Sequence, residues 1–88
     1  MKALLDILNE EKCVVRQINR LDSDIRSRGE YLEHMRRTYP DCSAKERDVE
    51  KLIIEIDILK TERSKQQDVL RGVQYELAGY LSYLTELL

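Results

Sequence analysis

The chain reads as all-α: an antiparallel two-helix hairpin of long, coiled-coil-like helices, expected to associate into a four-helix bundle or coiled-coil oligomer. Three observations carry this. Apolar residues recur at alternating spacings of three and four along nearly the whole chain, the period of a helical seam and not of a strand. Only one strong helix breaker, Pro40, interrupts that pattern. Composition permits nothing bulkier: of 88 residues 42% are apolar and 36% charged, with no Phe and no Trp, so one domain with a slender core is the ceiling.

The first helix is expected over about residues 2–38. Its seam runs Leu4, Ile7, Glu11, Val14, Ile18, Leu21, Ile25, Arg28, Leu32, Met35, Tyr39. Only Glu11 and Arg28 break it, and a seam kept over this many heptads belongs to a coiled coil or bundle. The turn is placed at residues 39–43. Pro40 cannot donate a backbone hydrogen bond and pushes Tyr39 out of α geometry. Ser43-Ala44-Lys45-Glu46 then has the S-x-x-E form of a capping box, predicting Ser43 as the N-cap of the second helix.

The second helix is expected over about 44–87, completing a single hairpin domain over 1–88. Its seam runs Val49, Leu52, Ile56, Leu59, Arg63, Gln66, Leu70, Val73, Leu77, Tyr80, Leu84, Leu87, broken only at Arg63 and Gln66. Both seams are flanked by further apolar residues. Leu8 and Val15 widen the first; Ile53, Leu81 and Leu88 widen the second on one flank, Val69 and Tyr83 on the other. A stripe this wide suits a bundle of three or four helices, more than one hairpin supplies.

Helix lengths make the same point. Folding at residues 39–43 pairs positions whose numbers add to roughly 82, so Leu4 meets the region of Leu77 and the first helix runs out. Residues 81–88 then overhang, and this stretch holds Leu81, Tyr83, Leu84, Leu87 and Leu88. Contiguous exposed apolar surface on a small protein marks an association site. The expected interface therefore comprises Leu77, Tyr80, Leu81, Tyr83, Leu84, Leu87 and Leu88. Gly72 and Gly79 join it, because glycines one heptad apart inside a helix suggest close approach of a neighbouring helix.

The polar seam residues are expected to set register. Arg28 should meet Glu55 or Asp57 across the hairpin, or Asp24 one turn back. Arg63 and Gln66 should face Val14, Val15 and Ile18, a polar layer against an apolar one. Glu11 should face Arg71.

Catalytic and metal chemistry find no pattern. The single His, His34, stands at an outward position, and Glu30 precedes it by four residues rather than the three of a di-iron helix motif. No CxxC, Walker A, GxGxxG or HExxH occurs. No catalytic, cofactor or metal site is expected. Cys13 and Cys42 would stand on the order of 40 Å apart along a helix, too far for a disulfide.

Charge is dense and balanced: 15 Lys and Arg against 17 Asp and Glu, net −2. A protein built to coat phosphate backbones carries a large positive excess. The one basic stripe, Lys12, Arg16 and Arg20, lies in a helix that nets only about +1 and is interrupted by acids. No run approaches the ~20 apolar residues of a membrane span, and the N-terminal residues lack the apolar core of a signal peptide. A cytoplasmic, non-enzymatic protein-interaction module is expected, a self-associating hairpin with the dimer favoured. It would act as adaptor, assembly factor, regulator or chaperone-like subunit, with a helical protein as a possible further partner. Two rivals stand beside it: a small nucleic-acid-associated regulator using Lys12, Arg16 and Arg20, and an obligate subunit of a hetero-oligomeric coiled-coil complex.

Overall fold

A computed structural model describes residues 3–38 and 42–88. It is a hairpin of two helices, α1 (Leu4–Thr38) and α2 (Ser43–Leu87), with no strand among the described residues. Tyr39, Pro40 and Asp41, the centre of the expected turn, lie outside the described residues, as do Met1 and Lys2. The molecule is a rod of 67 × 16 × 16 Å. Its radius of gyration of 19.8 Å compares with about 12 Å for a compact domain of this length. No helix among the described residues is long and apolar enough to cross a membrane.

The start of α1 and the turn-facing ends of both helices make local hydrogen bonds. The Ala3 carbonyl accepts from the N–H groups of Asp6 and Ile7 at 3.0 and 3.2 Å, opening α1. Asp6 in the first turn and Arg36 and Arg37 in the last complement the helix dipole. The Lys45 ammonium reaches back to the Arg36 carbonyl at 3.3 Å, tying the first turn of α2 to the last of α1 and serving a carbonyl that helix termini otherwise leave unpaired.

The capping box does not form. Cys42, not Ser43, is the N-cap of α2: its backbone is extended and its Sγ accepts from the Lys45 N–H at 3.5 Å. The helix therefore starts one residue earlier than the S-x-x-E pattern implies. Ser43 already lies inside it, and the Glu46 N–H is taken by the Cys42 carbonyl at 3.0 Å.

The core follows the seam. Every described seam residue from Leu4 to Met35 and from Val49 to Tyr80 is buried or half-buried. Among the described residues only four, Ile7, Ile18, Met35 and Val73, are buried outright. Two packed helices can enclose one line of side chains between them and little more, which is why the rest of the seam stays half-covered.

Candidate association surface

The polar seam residues join the helices in pairs. Arg28 Nε lies 3.3 Å from Glu55 Oε2 across the hairpin, and Arg28 Nη1 lies 3.4 Å from the Asp24 carbonyl one turn back on α1. Glu55 rather than Asp57 is the partner, because it stands directly beside the seam while Asp57 points outward. Arg63 forms an ion pair with Asp22. The expectation that Arg63 meets a purely apolar layer is thus corrected: the long side chain reaches the carboxylate beside Leu21. Gln66, half-buried, donates to Glu62 on its own helix at 3.5 Å. Glu11 is half-buried, and its expected partner Arg71 turns instead to Asp68, 3.5 Å away on the outer surface of α2. The Arg28–Glu55 and Arg63–Asp22 pairs set the register about two residues further along α2 than the sequence arithmetic. Leu4 then stands level with about Tyr80 rather than Leu77.

That register decides which candidate interface residues are exposed. Leu77 and Tyr80 are half-buried in the intramolecular seam. Beyond them the seam runs on without cover. Leu84 and Leu87 hold seam positions yet are 40% and 65% exposed, with Leu81, Tyr83 and Leu88 also exposed beside them. Leu5, Leu8 and Val15 are exposed on α1 near the same end of the rod. The open end therefore carries an apolar patch where the seam runs out, while Tyr31, Ile54, Ile58 and Tyr75 are exposed elsewhere along the rod.

Gly72 and Gly79 are both exposed, and a Cβ built on either meets nothing within 4 Å. Within the hairpin no helix approaches them. Lys12, Arg16 and Arg20 are exposed on α1. His34 is exposed, its Nδ1 3.4 Å from Thr38 Oγ1, and both cysteines are exposed free thiols.

Sequence reasoning missed Asp22. Its signal was present: it lies one residue after seam Leu21, on the flank that faces Arg63 once the register is corrected. No protein-family model, no curated protein and no solved structure matches the chain.

Proposed function

We propose that this hairpin is a non-enzymatic protein–protein interaction module whose working unit is a homodimer, acting as an adaptor, assembly factor, regulator or chaperone-like subunit in the cytoplasm. The observation that carries this reading is surface area. The chain exposes 7034 Å². A compact monomer of 10.4 kDa exposes about 5,400 Å². Two copies thus carry about 3,300 Å² of excess surface, inside the range of roughly 2,000–5,000 Å² that obligate homodimers bury. The uncovered seam residues Leu84 and Leu87 supply apolar surface where such a contact needs it.

Size-exclusion chromatography with light scattering tests the reading on the native chain and on the double variant Leu84→Ser/Leu87→Ser. The native chain is expected to elute as a dimer, and the variant to shift toward monomer at the same concentration. A native chain that stays monomeric at every concentration overturns the reading.

A further inference from the structure

The hairpin has two edges of opposite character. Each helix leaves two rows of residues beside its seam. Two antiparallel helices are related by a half-turn about an axis normal to their common plane, so corresponding rows share an edge. One edge carries Leu8, Val15, Asp22, Gly29 and Arg36 from α1, together with Glu46, Ile53, Lys60, Leu81 and Leu88 from α2. Its charges cancel, two acids against two bases, and Leu8, Val15, Ile53, Leu81 and Leu88 are exposed on it. The other edge carries six carboxylates, Glu10, Asp24, Asp48, Glu55, Glu62 and Glu76, and no Lys or Arg in those rows, beside exposed Tyr31, Val69 and Tyr83.

We infer that a second copy of this chain docks on the neutral, apolar edge, with the two open ends together and α1 of each copy lying over α2 of the other, and that the acidic edge stays outside the contact. The inference rests on the self-association proposed above and adds its surface and orientation. Pairing through the acidic edges would set six carboxylates against six, and juxtaposed like charges are what exclude wrong interfaces. The neutral edge has no such conflict, and its apolar residues continue into Leu84 and Leu87.

Charge along this edge selects the orientation. With open ends together, Asp22 of one copy lies within about one turn of Lys60 of the other, and Arg36 within about one turn of Glu46. Ile53 lies within about one turn of Gly29, which is half-buried and has open space for a neighbouring side chain. With one copy reversed end for end, α1 lies over α1. Asp22 then meets Asp22 and Lys60 meets Lys60, while Leu8 lands beside Arg36. Both arrangements make every neighbouring helix pair antiparallel, the geometry of an up-down four-helix bundle, so the pairing of charges alone selects the first arrangement. It leaves Gly72 and Gly79, which stand on the acidic side of α2, facing solvent.

Two measurements on the full chain test this. The first compares Leu8→Glu and Leu81→Glu with Val69→Glu, an equally conservative disturbance of an exposed apolar residue on the acidic edge. Sedimentation should show the dimer at least about 100-fold weaker for the first two, since each buries an unpaired charge, and unchanged for Val69→Glu. Circular dichroism at equal helicity separates this from unfolding. The second places a nitroxide on Cys42 in a Cys13→Ser background and reads the distance between labels by pulsed electron resonance. Open ends together put both labels at the turn end, within about 30 Å given helix spacings of 8–10 Å. Reversed copies put them about 60 Å apart on a 67 Å rod. A dimer broken only by Val69→Glu, or a label distance near 60 Å, overturns the inference while leaving self-association standing. A native chain that never dimerises removes both.

Discussion

Arg28 Nε of α1 stands 3.3 Å from Glu55 Oε2 of α2, joining the two helices at the middle of the hairpin. The side chains are 38% and 55% exposed, so water screens the pair and it serves register more than stability. Glu55→Gln is expected to cost less than about 1 kcal/mol in thermal unfolding, with the loss shrinking as salt is added.

Asp22 is the less exposed acid of the two pairs, 40% against 55% for Glu55, while Arg28 and Arg63 both occupy the seam. Asp22→Ala removes the carboxylate paired with Arg63, and because both side chains are over a third exposed the expected cost is about 1 kcal/mol. Asp68→Ala is the comparison. It removes the partner of Arg71 on the exposed surface and should fall within about 0.5 kcal/mol of the native chain. Denaturant titration of the two variants side by side reads the difference.

The N-cap of α2 is a thiol, a weak hydrogen-bond acceptor. Cys42→Ser places a hydroxyl oxygen at the same position and is expected to stabilise the chain by about 0.5–1 kcal/mol. Ser43→Ala touches no cap and should cost less than about 0.5 kcal/mol, since Ala is the better helix former. A large loss in Ser43→Ala would restore Ser43 as the cap. Thermal melts followed by circular dichroism separate the two.

Gly72 and Gly79 lie within α2 with ordinary helical backbone and open space at Cβ. Gly72→Ala and Gly79→Ala should each raise stability by about 0.5–1 kcal/mol, by lowering the conformational freedom of the unfolded chain. Dimer affinity should stay unchanged, because these positions face away from the inferred contact. A dimer weakened by either variant would return the glycines to the interface expected from their spacing.

The seam was legible in the sequence over most of both helices. A spacing of three and four residues dictates which side of a helix is apolar, and the seam residues from Leu4 to Met35 and from Val49 to Tyr80 follow it into the core with even Glu11, Arg28, Arg63 and Gln66 half-buried. The reason is geometric: a helix that buries one row buries whatever residue occupies that row. Two features were harder to read. The cap depends on backbone dihedrals at Cys42 and Ser43 that an S-x-x-E pattern does not determine. Register is not given by spacing along either helix, and a difference of about two positions separates the expected neighbours of Arg63, Val14, Val15 and Ile18, from Asp22, with which it pairs. The apolar character of the open end was legible, but Leu77 and Tyr80 belong to the intramolecular seam rather than to the overhang.

Sedimentation equilibrium of the native chain over a wide concentration range, in moderate salt, tests self-association most directly. A mass of twice the 10.4 kDa chain is expected at micromolar concentration, falling toward one chain only on strong dilution. A mass of 10.4 kDa at every concentration would contradict self-association and leave the uncovered leucines of the open end to a different partner.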